Sequence, residues 1–216
     1  MIVPFRTGAD AQAAVPLVRA HFDRGGLIAY PTETVYGLGS RAEAGALAAL
    51  ARLKGRPPGK PFLLLVSSRT MAERFGLVFT PAARALADAF WPGPLTLVLR
   101  GGEGRLPDQL RGPEGGIAVR LTSMPQVAEL IRGLDEPVTS TSANRPGQPT
   151  GAGVERIVEV FGDAERDGTL MILDGGTLGN VPPSTLVDCT GPVPVLVREG
   201  AIPRAELRRR VGRHAP

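Results

Sequence analysis

Residues 27–39, LIAYPTETVYGLG, carry the clearest structural signal in the chain. The first four are apolar without alternation, which is typical of a strand that is covered on both faces. Hydroxyl side chains and the carboxylate of Glu33 follow directly, and the segment ends in GLG. Ligands bind at strand ends in α/β sheets, so this segment predicts a ligand loop after a buried strand. A polar turn that leads into a helix is the alternative interpretation.

Apolar runs of strand length recur along the chain and are separated by helical segments. Strands are predicted at 27–30, 62–66, 95–99, 116–121, 137–140, 169–173, 184–189 and 193–198. Helices are predicted at 11–24, 41–53, 125–132, 154–161 and 203–211, with another that begins at Thr80-Pro81. This mixture predicts an α/β or α+β fold with a mixed sheet. The 216 residues show neither a linker nor a repeat, so residues 1–216 are expected to form a single domain.

Residue preferences at helix ends suggest two boundaries and one kink. Ser40 and Glu43 fit a capping box at the start of the helix 41–53, and Gly55 fits its C-terminal cap. Pro16 is expected to begin or kink the N-terminal helix, because proline cannot donate a helical hydrogen bond.

The composition narrows the classes of function. The chain has 25 lysines and arginines against 21 acidic residues, a formal charge of +4, which is compatible with nucleic acid, nucleotides or small anions. One cysteine and two histidines exclude a disulfide and any cysteine-rich or histidine-rich metal site, so no protein-held metal is expected. No run of 18 apolar residues and no signal-peptide core occurs, so we expect a cytoplasmic protein without a membrane partner.

A cationic loop lies at residues 54–61, KGRPPGKP. Lys54, Arg56 and Lys60 place three cations within seven residues, and both lysines of the chain are among them. An ammonium is a point charge and a guanidinium a two-pronged donor, a pairing suited to phosphates or carboxylates. The motifs G-x-x-x-x-G-K-[ST] and G-x-G-x-x-G are absent from the sequence. A solvated surface turn is the alternative interpretation.

Two clusters of hydroxyl side chains accompany predicted strands. The first is STSAN, residues 140–144, in which alternate side chains share one side and can face one ligand. The second lies in PPSTLVD, residues 182–188, and Arg198 ends the next predicted strand. Neither cluster has a histidine nearby, so a serine hydrolase would lack its base, and the hydroxyls are interpreted as ligand donors and acceptors.

Taken together, these motifs resemble the YrdC-type threonylcarbamoyl-adenylate synthases. PTETVYGLG, KGRP with KPF, WPGPLTLVL, IAVR, STSAN and PSTLVD with REG follow that family's order and spacing from about Leu27 to Ile202. The resemblance implies a YrdC-like domain in its short form, with a twisted sheet and flanking helices around a large cationic concave cavity. It also implies a nucleotidyltransferase that turns L-threonine, bicarbonate and ATP into threonylcarbamoyl-AMP and pyrophosphate, for the t6A modification of tRNA.

The resemblance also implies site residues and partners. Lys54 and Arg56 are the candidate catalytic residues. The candidate ATP-binding residues are Lys54, Arg56, Lys60, Ser142, Asn144, Thr150 and Arg198. The candidate L-threonine-binding residues are Thr34, Arg120, Ser140 and Ser184, with Arg120 as a fork for the carboxylate. ATP is expected together with Mg²⁺, and a threonylcarbamoyl-transferase complex is the expected protein partner.

Two positions depart from the family's pattern. Leu65 stands where some members carry a histidine near the threonine, and Pro146 stands where a serine is frequent. Leu65 is expected to reshape the contacts to the amino acid, and the departure at Pro146 removes a candidate ligand group.

Two other functions stay open at this stage. A module that binds structured RNA through the basic cavity would fit the arginine content, and weak binding of tRNA or other RNA is the interaction expected of it. No RRM, KH or stacking-aromatic pattern supports it, and aromatic residues make up only 5% of the chain. A different carbamoyl-adenylate chemistry, as in hydrogenase-maturation carbamoyltransferases, would bring zinc-finger and acylphosphatase-like segments that this sequence lacks.

Overall fold

The computed structural model describes residues 1–57, 59–179 and 181–216, so Pro58 of the cationic loop lies outside the described residues. Within these ranges the chain forms eleven strands and seven α-helices. The strands are β1 (Ile2–Pro4), β2 (Leu27–Tyr30), β3 (Gly37–Gly39), β4 (Leu63–Val66), β5 (Leu77–Val78), β6 (Leu95–Gly101), β7 (Ile117–Leu121), β8 (Val138–Ser142), β9 (Leu170–Asp174), β10 (Thr185–Asp188) and β11 (Val195–Arg198). The helices are α1 (Gly8–Asp23), α2 (Ala44–Lys54), α3 (Arg69–Arg74), α4 (Pro81–Phe90), α5 (Pro125–Leu134), α6 (Val154–Arg166) and α7 (Arg204–Val211).

The strands form a mixed sheet, which confirms the predicted fold class. Their order is β1-β9-β2-β3-β8-β4-β7-β6-β10-β11, with β5 paired to β6 beside this path. Parallel pairing joins β9 to both β1 and β2, β4 to β7, and β6 to β10, and the other neighbours are antiparallel. Strand β8 lies in the middle, where Thr141 and Ser142 pair with β3 and the residues before them pair with β4. The STSAN segment therefore leaves the sheet near its centre.

The central strands are buried, as their continuous apolar runs predict. Every residue of β2 is at most 1% exposed, and the four apolar residues of β9 are equally inaccessible. Helices α1 and α5 pack against each other, and α4 packs against α7. None of the helices in the described ranges is both long and apolar enough to cross a bilayer.

The capping-box prediction for α2 is wrong, whereas the prediction for its end is confirmed. The N-cap of α2 is Glu43, which makes no side-chain hydrogen bond to the helix. The Ser40 hydroxyl is fully buried and lies 2.8 Å from the hydroxyl of Thr139. Because it contacts Thr139 on β8, it does not cap α2. Gly55 ends α2 in the left-handed conformation with φ of 66°, which glycine adopts without a steric penalty.

The N-terminal helix is longer than predicted and does not begin at Pro16. It begins at Gly8 after the N-cap Thr7, whose hydroxyl accepts a hydrogen bond from the backbone N–H of Asp10 at 3.1 Å. The Asp10 carboxylate accepts a hydrogen bond from the backbone N–H of Thr7 at 2.8 Å, so this helix has the capping box that α2 lacks. Pro16 lies inside the helix.

The close approach of β3 to its neighbours yields a stability prediction. A Cβ added at Gly39 would overlap the carbonyl oxygen of Thr139 and lie 2.7 Å from the Tyr30 ring. Gly39→Ala should therefore lower the free energy of unfolding by about 1–3 kcal/mol, since a backbone atom cannot move aside cheaply. Gly45→Ala is the matched control, because Gly45 is exposed in α2 and has nothing within 4 Å of the added methyl group. It should raise stability by up to about 1 kcal/mol, and urea unfolding curves that show the same sign for both variants would contradict this account.

Candidate functional site

A cavity of about 580 Å³ collects the segments that the motifs single out. Its size falls in the range of small-molecule sites. Among the described residues, four cationic side chains line it, and none of the lining residues is acidic. These cations are Arg56, Lys60, Arg120 and Arg198. The cavity is therefore suited to an anionic ligand.

Segments that are far apart in the sequence supply the lining. The loop after β2, the cationic loop, the centre of β8 and the ends of β10 and β11 all contribute. The hydroxyl-bearing lining residues are Thr32, Thr34, Thr96, Ser140, Thr141, Ser142, Thr150 and Ser184. The apolar ones, with the glycine, are Val35, Gly37, Pro61, Leu63, Ala118, Pro183 and Leu186.

The cavity brings together nine of the eleven candidate site residues. They are Thr34, Arg56, Lys60, Arg120, Ser140, Ser142, Thr150, Ser184 and Arg198. The two candidates that do not line it are Lys54 and Asn144. These two contact each other directly beside Ser142, so they border the cavity wall without forming it.

Lys54 is buried, with 5% of its surface exposed, at the last position of α2. Its Nζ donates to the carbonyl oxygen of Ser142 at 2.6 Å, and to the carbonyl oxygen and Oδ1 of Asn144 at 2.9 and 3.0 Å. Burial, together with the neighbouring charge of Arg56, lowers the pKa of Lys54 to about 8. At pH 7 the amine is still mostly an ammonium, and it ties the end of α2 to the STSAN segment.

Arg56 is fixed by the loop that carries it. Its Nε and Nη2 donate to the carbonyl oxygens of Lys60 and Pro61 at 2.8 and 2.6 Å, and Nη1 donates to the Thr141 hydroxyl at 3.0 Å. The guanidinium lies 4.6 Å from the centre of the Phe62 ring. Burial lowers the pKa of Arg56, but a guanidinium stays charged at neutral pH. The loop thus presents a charge whose orientation is set before any ligand arrives.

The hydroxyls of Ser142 and Ser184 are each held by a neighbouring polar group. Ser142 Oγ donates to Asn144 Oδ1 at 2.6 Å, which is the oxygen that also accepts from Lys54. Ser184 Oγ lies 2.8 Å from the hydroxyl of Thr96, and Arg198 donates to the Ser184 carbonyl oxygen at 2.8 Å. Side chains that are held in this way are ready to bind a ligand without reorganising.

Thr34 lies in the loop between β2 and β3, and Ser140 lies on β8, the strand that pairs with β3. Thr34 Oγ1 is 3.1 Å from the hydroxyl of Thr32, which in turn donates to the carbonyl oxygen of Val35 at 2.6 Å. Ser140 is 6% exposed and belongs to the part of β8 that pairs with β4. Both side chains line the cavity, as the interpretation of PTETVYGLG and STSAN as ligand segments requires.

Arg120 on β7 is 3% exposed, and its only ion-pair partner among the described residues is Glu33. The two side chains come from segments 87 positions apart, and Arg120 Nε lies 3.6 Å from Glu33 Oε1. The hydroxyl of Thr122 donates to the other carboxylate oxygen of Glu33 at 2.6 Å. The result is a buried pair beside the cavity, with Arg120 on the cavity side.

Sequence reasoning missed three hydroxyl residues of the lining. Thr32 and Thr141 stand inside motifs whose other members were selected, and Thr96 lies in WPGPLTLVL. A signal for Thr96 was present, since it is the single polar side chain in the predicted strand 95–99, LTLVL. A buried hydroxyl in such a strand needs a partner, and Thr96 has one in Ser184.

The two departures from the family's pattern lie outside the lining. Leu65 is fully buried within β4, so it belongs to the core, whereas Leu63 two positions earlier lines the cavity. Pro146 is exposed in the loop after β8. Neither position contributes a surface to the cavity.

No group of three or more histidine, cysteine, aspartate or glutamate side chains that could hold a metal ion occurs in residues 1–57, 59–179 and 181–216. Cys189 is buried, and burial raises the pKa of its thiol to about 12. The thiol is therefore protonated at neutral pH and is not a nucleophile.

The pKa of Lys54 can be measured directly, because the chain has only two lysines. In a Lys60→Arg variant that carries ¹³C at the lysine Cε, the single remaining resonance should titrate with a midpoint of about 8. The unfolded chain binds more protons than the folded one between this value and the ordinary 10.5, so Lys54 should make the free energy of unfolding rise with pH across this window.

The control is the pair of methionine variants at the two lysines. Lys54→Met should abolish the rise in stability between pH 8 and 10.5, and Lys60→Met should retain it. A resonance of Lys54 that titrates near 10.5 would contradict the burial argument.

The chain is similar in sequence to a known protein family and to two of its members. The family model Sua5_yciO_yrdC, described as telomere recombination, matches residues 20–200. The threonylcarbamoyl-AMP synthase of Pyrococcus abyssi is 36% identical over 198 residues, which cover 90% of this chain and 56% of the relative. The threonylcarbamoyl-AMP synthase of Thiobacillus denitrificans is 37% identical over 183 residues, which cover 84% of this chain and 94% of the relative.

The fold agrees as well. The crystal structure of P. abyssi Sua5 complexed with L-threonine matches with a TM-score of 0.85 at 32% identity, over 99% of this chain and 61% of that chain. This chain therefore spans little more than half the length of the Pyrococcus relative and nearly all of the Thiobacillus one. The resemblance to YrdC-type proteins is confirmed, and the chain belongs to the Sua5/YciO/YrdC family.

Proposed function

We propose that this chain is a threonylcarbamoyl-AMP synthase, an enzyme that joins L-threonine, bicarbonate and ATP and releases pyrophosphate. The observation that carries the proposal is the cavity, which brings four cations and eight hydroxyl-bearing residues together in a member of this family. The names of the relatives support it, since the Pyrococcus and Thiobacillus proteins are both threonylcarbamoyl-AMP synthases.

The proposed reaction needs no protein nucleophile. The threonine amine attacks bicarbonate, and loss of water leaves a carbamate. A carbamate oxygen then attacks the α-phosphorus of ATP, the bond to the bridging oxygen breaks, and pyrophosphate leaves. Such a nucleotidyl transfer depends on positioning and on neutralising negative charge. The cationic lining can neutralise the phosphates, and the buried, protonated thiol of Cys189 agrees with a reaction that uses no protein nucleophile.

We assign the nucleotide to the cationic loop and the STSAN segment. Arg56 is the candidate catalytic cation that faces the phosphates, with Lys60, Ser142, Thr150 and Arg198 as further contacts around the cavity. Lys54 does not line the cavity, so its proposed contribution runs through the oxygens of Ser142 and Asn144 that it holds.

We assign L-threonine to the other candidate residues of the lining. These are Thr34, Arg120, Ser140 and Ser184. A carboxylate fits the two-pronged guanidinium of Arg120, and the three hydroxyls can exchange hydrogen bonds with the amine and hydroxyl of the amino acid. The complex of P. abyssi Sua5 with L-threonine supports this assignment, since a relative that shares this fold binds the same amino acid.

Magnesium fits the proposal as a companion of ATP. Mg²⁺ prefers oxygen ligands and is commonly carried by substrate phosphates. The lining residues that the structure describes offer hydroxyls but no carboxylate, so they suit a metal that enters on the triphosphate. Ser142 and Thr150 are the two hydroxyls among the proposed nucleotide contacts, so they are the candidates to face it.

The proposed product is the donor for t6A modification of tRNA, so the expected partner is a cytoplasmic threonylcarbamoyl-transferase complex. An RNA-binding module is the weaker alternative. In the described part of the chain, cationic, hydroxyl-bearing and aliphatic side chains line the concave cavity, with no aromatic residue among them on which a base could stack.

The activity test is a pyrophosphate assay. Incubation with ATP, L-threonine and bicarbonate should release pyrophosphate only when all three are present. Release that is absent, or that ignores threonine, would contradict the proposal. Binding of tRNA with a steep salt dependence and no affinity for ATP would instead favour the RNA-binding alternative.

The assignment of the two substrates predicts opposite effects for two arginines. Arg56→Ala removes charge-assisted hydrogen bonds, so the affinity for ATP should fall about ten- to a hundredfold while that for threonine changes much less. Arg120→Ala should weaken threonine by a similar factor and ATP much less. Arg132→Ala is the control, since Arg132 is exposed on α5 and pairs with Glu129 away from the cavity. Calorimetric titrations with each ligand decide the matter, and equal losses for both ligands in either variant would refute the assignment.

A further inference from the structure

Two buried atoms beside the cavity have no hydrogen-bond partner among the described residues: Glu33 Oε1 and Arg120 Nε. They face each other at 3.6 Å, which is close enough for a strong attraction but too long for a hydrogen bond. The side chains are 13% and 4% exposed, so little solvent screens the pair. Buried polar atoms are nearly always satisfied, and a pair left open in this way calls for an explanation.

Glu33 is held from its other side. The Thr122 hydroxyl donates to Glu33 Oε2 at 2.6 Å and also accepts from the backbone N–H of Met124 at 3.1 Å. The carboxylate is therefore anchored just beyond the end of β7, two residues after Arg120. Its position does not depend on Arg120.

The pairing leaves most of the Arg120 guanidinium uncommitted. A bidentate ion pair would use two nitrogens of the fork, whereas here Glu33 faces only Nε. The side chain of Arg120 makes no hydrogen bond to any described residue, although it is 3% exposed and lines the cavity. An uncompensated guanidinium at this depth would be costly, so Glu33 supplies the countercharge while the donors remain available.

We propose that Glu33 is a positioning residue for the amino-acid substrate. Anchored by Thr122, it holds the Nε side of Arg120 so that the Nη groups are presented to a carboxylate in the cavity. The proposal rests on the proposed function, because it takes the carboxylate to be that of L-threonine. It predicts that loss of the Glu33 charge lets the guanidinium turn and weakens recognition of the carboxylate specifically.

The test compares L-threonine with L-threoninamide, which keeps the amine and the hydroxyl but lacks the carboxylate. In Glu33→Gln the Kd for threonine should rise about tenfold. The Kd for threoninamide and the Kd for ATP should both stay within about twofold of the parent, since neither ligand offers a carboxylate to Arg120. Thr122→Val is a smaller change that removes the anchor of Glu33. It should also raise the Kd for threonine relative to the Kd for threoninamide.

Glu136→Gln is the matched control. Glu136 pairs with Arg41 at 2.9 Å, is also largely shielded from solvent and lies outside the cavity, so this variant should bind all three ligands like the parent. The double variant Glu33→Gln with Arg120→Ala should bind threonine no more weakly than Arg120→Ala alone, because Glu33 acts through Arg120.

Three results would overturn the inference while the parent protein remains an active, threonine-binding enzyme. Glu33→Gln and Thr122→Val could both bind threonine like Glu136→Gln, or they could lose threonine and threoninamide in parallel, as general damage to the fold would cause. The losses could also add fully in the double variant. A parent protein that does not bind threonine is a different outcome, since it refutes the proposed function and the inference with it.

Discussion

The buried ammonium of Lys54 is the constraint on which the site depends. A charge that is 5% exposed is stable only if oxygens surround it, and here they come from Ser142 and Asn144. Helix α2 and the exit of β8 must therefore meet at one point. The cationic loop begins directly after Lys54 and the STSAN segment contains both acceptor residues, so this one buried charge fixes two of the segments that line the cavity next to each other. The left-handed Gly55 then turns the chain toward Arg56.

The two arginines to which the proposal assigns the substrates are held in opposite ways. Arg56 donates three hydrogen bonds to its own loop and to Thr141, so its orientation is fixed while two of its N–H groups remain. The Arg120 side chain donates no hydrogen bond to a described residue, so its N–H groups remain available to a ligand. A carboxylate, with two oxygens in one plane, is recognised by geometry.

The sequence predicted the strands better than the contacts between them. Strand β2 agrees to the residue, because four consecutive apolar side chains leave one interpretation. Strand β3 was missed, since GLG has poor strand propensity and becomes a strand only because β2 and β8 lie on either side. The motifs identified nine residues of the cavity, but they could not indicate that Lys54 turns toward β8. Nor could they reveal Glu33 beside Arg120, because a pair 87 positions apart is made by the topology and not by a local pattern.

The strand order also has a consequence for how the chain folds during its synthesis. Strand β1 pairs with β9, 170 positions away at Ile2 and Ile172, and β2 shares the same partner. The cavity likewise takes residues from Thr32 to Arg198. A chain leaving the ribosome can therefore pair β2 with β3 early, but the other edge of β2 has no partner until β9 has been made. Contacts between residues far apart in the sequence form slowly, so during synthesis one edge of a fully buried strand stays unpaired and open to contacts with other chains.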